Sequence, residues 1–427
     1  METGSPLGGV GNVQGQPIIE HNVAPASNTK NDKGDDILLN NGEMVLRIVD
    51  LQIPGRGFPY LFTRCYKSRI RYHGTMGGNW DHNYNMRLMK ERQTFGTLTG
   101  NIWFNDGLCH QELFVAEGGS FRSPLGSYNK LTGSNDNYDL RTPNGMVYHF
   151  VNKLPGESDR LFLDFITDKN GNTMTFQYDP FGFLLAVVDT LGRSIQYNYD
   201  PTSKRLVSVK DFNNREIKFS YDQTFREDLI QVVAPEVIGT SNGNDFNDAN
   251  GKRKTTKYSY VPGFFLSGRL YNNLENMTMP NETAVNGAAV LTNSYNMNPN
   301  SYEFDKVTMQ HYGGTNASGV EAGGTIHYFY QALNPGADPN DITIPRNRTT
   351  VIDRVGNVPS GGLSHLDVCG GDLRWRLGGF PRFRLGGDPN RGWGRVVWST
   401  RRLASVCPPD DHQARQRNHG QPQQGEQ

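Results

Sequence analysis

An excess of charge of one sign is absent from this sequence. Its 427 residues include 43 Lys and Arg and 43 Asp and Glu, so the formal net charge is zero. No overall electrostatic field therefore exists to recruit nucleic acid or an anionic membrane surface. We expect no nucleic-acid partner, and any other partner must be recognised locally.

Cysteine and long apolar segments are scarce as well. The chain has four cysteines, too few for a disulfide framework, and no two of them are spaced C-x-x-C as in many zinc sites. No run of about 18 apolar residues occurs, so we expect no membrane span. The first residues show neither the basic nor the apolar region of a signal peptide, which leaves the export route open.

The plentiful residue types are those of strands and tight turns. Hydrophobic residues make up only 35% of the chain, but it contains 49 Gly, 19 Tyr and 22 Phe. Aromatic residues favour strands and Gly favours the turns between them. Composition therefore predicts an all-β fold.

The local pattern divides the chain into four parts. Residues 1–40 are rich in Gly, Pro, Asn and Ser and predict a flexible lead-in. Residues 41–155 alternate short apolar runs with turn signals, which predicts a β-rich amino-terminal region. Residues 156–358 contain a repeat, and residues 359–427 form an atypical tail rich in Arg, Gly and Pro.

The strongest internal signal is a unit of about 21 residues that occurs three times in succession between residues 163 and 222. Each unit reads Leu-x-x-Ile/Val-x-Asp, then Gly or Asn three residues later, then aromatic-x-Tyr-Asp. The same residue pattern begins again at Asp353 and Gly356. The anchors are Asp168, Gly171, Phe176, Tyr178 and Asp179 in the first unit; Asp189, Gly192, Arg193, Tyr197, Tyr199 and Asp200 in the second; and Asp211, Asn214, Arg215, Phe219, Tyr221 and Asp222 in the third.

Each unit has the signature of a β-hairpin. The first Asp opens the turn through its side-chain acceptor, and the Gly or Asn three residues later tolerates a left-handed backbone. The returning strand alternates, so Ile195, Tyr197 and Tyr199 share one face while polar residues take the other. We interpret the anchors as core, turn and strand-end residues rather than as ligand-binding residues.

No pattern of catalytic residues accompanies the repeat. The chain lacks a G-x-S-x-G elbow, an H-E-x-x-H helix and a phosphate-binding glycine loop, and its ten histidines are scattered. The Asn- and Asp-rich insertion at residues 239–251 predicts a surface loop, but it departs from the calcium-loop order. We therefore expect neither an enzyme nor a cofactor or metal site.

The pattern breaks near residue 358. Measured from Asp353, the repeat spacing requires an aromatic residue, a Tyr and an Asp, but the chain has Gly361, Leu363 and Ser364 there. Residues 359–427 contain no Lys, Ile, Met or Tyr. Our hypothesis is that this tail is an out-of-frame translation, which the nucleotide sequence around codon 358 tests. A basic arm for nucleic acid is the alternative, but no periodic face organises its ten Arg.

These repeats resemble the RHS family of YD-repeat proteins, whose pattern is Leu-x-x-Val-x-Asp-x-x-Gly-Arg-x-x-x-Tyr-x-Tyr-Asp. The upstream stretches Asp50–Gly57 and Gly78–Asp81 are similar to the β-rich region that precedes the repeats in that family. The resemblance implies stacked β-hairpins that spiral into a hollow shell. In the toxin members this shell encloses a carboxy-terminal effector, which is released near a self-cleaving aspartate region. This chain shows neither part, and if the frame break is real, the effector cargo and the cleavage region have been lost from it.

The expectation for function is a structural shell fragment that serves as a scaffold for encapsulating or presenting a toxin in export or contact-dependent competition. An extracellular or cell-surface location follows from the resemblance. The alternative is a cell-surface adhesin whose exposed aromatic and Asn side chains bind carbohydrate. Binding to a glycan array distinguishes the two.

Overall fold

A computed structural model describes residues 36–352 and 365–369, with gaps at residues 40, 71, 94–95, 125, 155, 157–158, 224–226, 236–254, 263–271, 285–286, 314–322 and 337–344. The described residues form 27 strands and one short helix, α1 (Pro280–Ala284). All ladders between them are antiparallel, which confirms the predicted all-β fold of stacked hairpins. The insertion at residues 239–251, Asp353, Gly356 and nearly all of the lead-in and tail lie outside the described residues.

The first strands along the chain form a small sheet, which we call the inner sheet. Its order is β1-β2-β3-β6, and the short pair β4–β5 lies between β3 and β6 along the chain. Its first strand falls within the stretch that the sequence assigned to the lead-in. The strands are β1 (Asp36–Leu38), β2 (Glu43–Ile53), β3 (Tyr60–Lys67), β4 (His73–Gly74), β5 (Gly77–Gly78) and β6 (Trp80–His82).

The next strands begin a second, much larger sheet. The β-rich region at residues 41–155 therefore contributes to two sheets rather than one. These strands are β7 (Arg87–Arg92), β8 (Leu98–Asn105), β9 (Gln111–Glu117), β10 (Ser120–Arg122), β11 (Lys130–Ser134), β12 (Asn137–Arg141) and β13 (Val147–Val151).

The repeats form a continuous series of hairpins in this sheet, which we call the repeat sheet. Its hairpins, numbered first to sixth, are β14 (Arg160–Thr167) with β15 (Thr173–Tyr178), β16 (Leu184–Val188) with β17 (Ser194–Tyr199), β18 (Leu206–Lys210) with β19 (Glu216–Tyr221), β20 (Leu229–Val233) with β21 (Thr255–Tyr260), β22 (Leu274–Thr278) with β23 (Leu291–Tyr295), and β24 (Val307–Tyr312) with β25 (Gly324–Ala332). Two further strands follow, β26 (Pro345–Ile352) and β27 (His365–Cys369).

The sheet branches at β14. Residues Arg160–Phe162 pair with β7, whereas Phe165–Thr167 pair with β15, and β13 pairs along both halves. Because one strand belongs to both ladders, the front part of the large sheet and the repeats are hydrogen-bonded into one unit.

The hairpin β26–β27 departs from the repeat register. In the second and third hairpins, the residue three before the turn aspartate pairs with the residue seven after it, as in Ala186↔Gln196 and Ser208↔Lys218. At Asp353 the equivalent residue, Thr350, pairs with His365, which is twelve residues after that aspartate. The pairing of the returning strand β27 is therefore shifted by five residues relative to the register of the second and third hairpins.

The core lies between the inner sheet and the repeat sheet. Alternate residues of the repeat strands are buried on one face, and the intervening polar residues are exposed on the other. No helix in the described part of the chain is long and apolar enough to cross a membrane.

Candidate functional site: the interface between the inner sheet and the repeats

Strand β3 presents one face to the repeat sheet. In a strand, every second side chain points the same way, and here these are Tyr60, Phe62, Arg64 and Tyr66. All four are at most 1% exposed. Strand β3 thus lies across the aromatic face of the repeats and covers it.

Aromatic contacts join β3 and its neighbour Tyr84 to the first three hairpins. The ring of Tyr84 lies 5.5 Å from that of Phe176 in the first hairpin. Phe62 contacts both Tyr197 and Phe219, with ring centroids 6.0 Å apart in each case. Aromatic pairs in this range contribute about 0.5–1.5 kcal/mol each beyond the burial of their area. The rows predicted from the repeat spacing therefore pack against the inner sheet.

Two tyrosine hydroxyls meet in this interface. Tyr60 and Tyr197 lie 2.8 Å apart at their Oη atoms, and neither hydroxyl reaches solvent. Burial raises the pKa of both phenols well above the ordinary value. Both groups therefore remain neutral and act as hydrogen-bonding partners.

Arg64 carries a buried charge across the interface. Its guanidinium pairs with the carboxylate of Asp50 on β2, with Nη2 2.9 Å from Oδ1. It also lies 5.0 Å from the centroid of the Trp80 ring and 5.8 Å from that of Tyr258 in the fourth hairpin. Burial lowers the pKa of Arg64, but Asp50 and Tyr258 together more than reverse this effect and the net pKa is raised. Arg64 is therefore charged, and its charge is balanced within the protein.

The contacts continue to the fifth hairpin. The Tyr66 hydroxyl donates to the Asn272 carbonyl and accepts from the Leu274 amide, each at 2.8 Å. On β2, the Sδ of Met44 lies 3.1 Å from the Asn293 amide nitrogen. Successive inward residues of β3 thus contact the second to the fifth hairpin, and Tyr84, just after β6, contacts the first.

The repeat aspartates form the turns at both ends of the hairpins. Oδ1 of Asp189 accepts hydrogen bonds from the backbone amides of Leu191 and Arg193, both at 2.9 Å, and the Arg193 guanidinium pairs with its other oxygen. Asp168 and Asp211 accept the same two backbone bonds, and Arg215 pairs with Asp211 as Arg193 does with Asp189. At the opposite end, Asp179, Asp200 and Asp222 likewise accept backbone bonds.

The third residue after the turn aspartate has a left-handed backbone in all three units. Its φ is +82° at Gly171, +75° at Gly192 and +63° at Asn214. Glycine has no Cβ to clash in this region, and asparagine is the side chain that tolerates it best. This explains why Asn replaces Gly in the third unit.

From the second hairpin to the sixth, the tyrosine at the position of the Tyr in the Tyr-Asp pattern has a role that the sequence did not reveal. Its hydroxyl bonds to the carbonyl of the first apolar residue of its own hairpin. The pairs are Tyr199 with Leu184, Tyr221 with Leu206 at 2.7 Å, Tyr260 with Leu229 at 2.7 Å, Tyr295 with Leu274 at 2.9 Å, and Tyr330 with Val307 at 2.8 Å. The tyrosine thus fastens the two strands of a hairpin through its side chain.

A β-bulge recurs just before this tyrosine. It lies before Tyr178, Tyr199, Tyr221, Tyr260 and Tyr295. A bulge inserts one extra residue and re-aims the following side chain. Together, the recurring bulge and hydroxyl bond show that the repeat register extends to the fifth hairpin, beyond the three copies evident in the sequence.

Two loops of the inner sheet dock on opposite edges of the repeats. In the loop after β2, the Arg56 amide donates to Oγ1 of Thr190 at 2.7 Å, and the Pro54 carbonyl accepts from Arg193. At the other edge, the Thr75 carbonyl accepts from the Leu206 amide at 2.8 Å. The inner sheet is therefore held at both ends of the hairpins as well as across their face.

No group of three or more His, Cys, Asp or Glu side chains in the described part of the chain is arranged to hold a metal ion. The titratable groups of the interface are paired or stacked within it. This arrangement excludes water from the aromatic face of the repeats and fixes the spacing of five hairpins.

Comparison with known proteins gives one family match. Residues 34–107 match the family described as Domain of unknown function (DUF6531). This segment contains the inner sheet and the first two strands of the large sheet. No curated protein matches the sequence.

Several solved structures are similar at low identity. The crystal structure of TcdB2-TccC3 shares 14% identity over 73% of this chain and 18% of that chain, with a TM-score of 0.30. A Tc holotoxin pore from Photorhabdus luminescens shares 14% over 69% and 16%, with a TM-score of 0.26. A porin-like protein from Bacteroides uniformis shares 12% over 66% and 94%, with a TM-score of 0.20. This chain spans less than a fifth of the length of the two toxin structures.

Proposed function

We propose that this chain is a segment of an RHS-type shell, whose repeats build the wall and whose inner sheet seals their aromatic face. The observation that carries the proposal is the stepwise contact of β3 and Tyr84 with five successive hairpins. Such a wall leaves no unpaired strand edge between hairpins and needs no reactive group. The role is structural, and the proposal assigns the chain no reaction.

In this role the chain belongs to a longer exported or cell-surface protein that encloses or presents a carboxy-terminal toxin. Support comes from the repeat pattern and from the resemblance of the region before it to RHS proteins. A closed β wall excludes proteases and solvent from its contents because its backbone groups are all paired. The cargo itself must be identified from the gene.

Protease protection tests this function. The protein is produced from the complete reading frame with an epitope tag at its carboxy terminus, and the lifetime of the tag under protease is measured. We expect protection in the native protein and its loss after denaturation. A tag cleaved equally fast in both states would overturn the proposal.

Neighbouring positions of one strand provide matched variants for this experiment. Tyr197→Asp places a charge in the interface, where the side chain is 3% exposed, whereas Gln196→Asp places it on the exposed outer face. Burying an unpaired carboxylate is strongly unfavourable. We expect the first variant to lose protection at least tenfold faster than the second. Equal protection would show that this face does not form the wall of the enclosure.

An adhesin would have to bind carbohydrate through residues other than the aromatic residues of the repeats. Those rings are buried against the inner sheet, whereas Tyr128 and Phe181 are each 77% exposed. Glycan-array binding by the whole protein that disappears in a Tyr128→Ala or Phe181→Ala variant would favour the adhesin. Absence of binding would favour the shell.

A further inference from the structure

Two of the four cysteines lie together, although they are 44 positions apart in the sequence. Cys65 is buried on β3 of the inner sheet, and Cys109 lies half-buried in the loop between β8 and β9 of the large sheet. The Cys65 thiol is the first cause of the raised pKa of Cys109, so the two thiols are neighbours. No sequence pattern marks this pair.

The backbone around the two cysteines brings them together independently of their side chains. Cys65 is paired across the inner sheet with Arg47. The guanidinium of Arg47 donates to the carbonyl of Leu108, the residue before Cys109, at 3.5 Å. On the same loop, a Cβ added to Gly107 would lie 2.2 Å from the carbonyl oxygen of His82, so the loop lies directly against β6.

The loop that carries Cys109 is also rigid. Oδ1 of Asp106 accepts hydrogen bonds from the amides of Leu108 at 2.6 Å and His110 at 3.1 Å. Cys109 itself has a φ of +66°. A non-glycine residue rarely adopts this conformation, because its Cβ crowds the following carbonyl. Here the conformation is maintained by the surrounding hydrogen bonds.

We propose that Cys65 and Cys109 form a disulfide bond that joins the inner sheet to the large sheet. This inference does not depend on the proposed shell function. It adds a covalent link to an interface otherwise held by packing and hydrogen bonds. A link that closes a long loop stabilises a fold mainly by restricting the unfolded chain.

The oxidant is a small-molecule disulfide such as oxidised glutathione. The Cys109 thiolate attacks one sulfur of the oxidant, forms a mixed disulfide and releases one glutathione thiolate. Cys65 then loses its proton and attacks the Cys109 sulfur, which releases the second glutathione. The protein loses two protons and two electrons, and the oxidant becomes two thiols.

Cys109 is the residue that reacts first, because it is the more exposed of the two. The neighbouring Cys65 thiol, together with burial, raises the pKa of Cys109. The thiolate fraction at neutral pH is therefore small. We expect bond formation in the folded protein to accelerate as the pH rises toward that pKa.

Peptide mapping tests the bond directly. The whole protein is incubated with oxidised glutathione, free thiols are alkylated, and the chain is digested with trypsin. Cleavage places Cys65 in peptide 65–67 and Cys109 in peptide 93–122. We expect these two peptides to be linked and to separate on reduction. Both peptides alkylated after oxidation, or either one linked to Cys369 or Cys407, would overturn the proposal.

Stability provides a second measurement. Oxidised wild type is compared with its reduced form and with the Cys109→Ser variant under the same oxidising conditions. We expect reduction to lower Tm by about 5 °C in the wild type and by less than 1 °C in the variant. Cys109→Ser keeps the buried Cys65 and so tests the bond without opening the core. An equal effect of reductant on both proteins would contradict the proposal.

Discussion

At the scale of single residues, the tyrosine at the Tyr-Asp position is more than a packing residue in the five hairpins after the first. Phenylalanine fills the same volume, but only tyrosine supplies a hydroxyl for the carbonyl at the start of its hairpin. Leu206, whose carbonyl accepts from Tyr221, is fully buried. A buried carbonyl that loses its partner costs about 1–3 kcal/mol. This accounts for a Tyr at that position in all five hairpins that follow the first.

Tyr221→Phe is therefore expected to lower the free energy of unfolding by about 1–2 kcal/mol, because the ring is kept and the bond to Leu206 is lost. Urea denaturation of the purified protein measures the change. Tyr178→Phe is the matched control, since Tyr178 occupies the same repeat position but has no hydroxyl bond to a carbonyl in the described part of the chain. Equal losses in the two variants would argue that the hydroxyl bond is not stabilising.

His82 is a buried residue of the interface whose protonation state changes with acid. Its ring lies tilted against those of Phe62 and Tyr197, with centroids 5.3 and 5.8 Å away. Burial, together with the nearby Arg87, lowers its pKa from 6.5 to about 3. The neutral ring is thus favoured in the folded protein. Between these two pH values, the unfolded chain binds the extra proton and the folded chain does not, so stability falls as the pH falls.

Asp81, the residue before His82, has the opposite effect on how stability depends on pH. Burial raises its pKa from 3.8 to about 6, although Arg87 partly opposes this effect. The folded protein therefore binds the proton more tightly than the unfolded chain, and this carboxyl stabilises the fold as the pH falls from 6 toward 4. The two adjacent residues partly cancel each other in the wild type.

His82→Phe is expected to remove the His82 contribution while keeping a ring in the stack. As the pH falls from 6.5 toward 3, the free energy of unfolding of the wild type should decrease by a few kcal/mol relative to that of the variant. Urea titrations at a series of pH values measure this difference. His311→Phe, at an exposed position, is the control for replacing a histidine with an aromatic ring. A flat profile for His82→Phe would disprove the linkage.

At the scale of elements, the loop between β2 and β3 fits closely against the first repeat turn. Gly57 has a φ of +80°, and a Cβ placed on it would lie 2.2 Å from Oδ2 of Asp168 and 2.5 Å from the Asn172 amide nitrogen. Those two atoms already bond to each other within the turn. Only glycine allows the loop to approach the turn this closely.

Gly57→Ala is expected to destabilise the protein by about 1 kcal/mol for the left-handed backbone and by about 1–3 kcal/mol more for the displaced turn. Gly192→Ala is the matched control, because its φ is +75° and an added Cβ meets open space. Urea denaturation gives the difference between the two variants. Hydrogen exchange should show faster exchange at Asn170 and Asn172 in the first variant alone. Identical stability of the two variants would mean that the loop does not press on the turn.

Some strands of this fold could be predicted from the sequence alone, and others could not. The three gapless units gave the correct hairpins, because their anchors are local and turn chemistry sets the register. The later hairpins were predicted only as part of the repeat region at residues 156–358 and not as separate units, since Val261 and Asn296 stand where the earlier units have Asp and the intervening loops are longer. The docking of the inner sheet was not predictable. It joins residues such as Tyr66 and Leu274 that lie far apart in the chain, and no local pattern encodes that contact.

At the scale of the whole molecule, the two sheets share one core and neither face is buried without the other. The inward face of the inner sheet is covered by the repeats, and the aromatic face of the repeats is covered by the inner sheet. Two layers that bury a common apolar face are expected to unfold together. Arg64 tests this directly, because it contacts β2, β6 and the third and fourth hairpins.

Arg64→Ala should cost about 3–5 kcal/mol, since it leaves the Asp50 carboxylate unpaired in the core. If the sheets form one cooperative unit, native-state hydrogen exchange will show the same loss of protection in β3 and in β17, β19 and β21. The exposed Arg56→Ala should leave exchange in both sheets unchanged. Faster exchange in β3 with full protection of the repeat strands would show instead that the inner sheet opens on its own, as a lid over a wall that is stable without it.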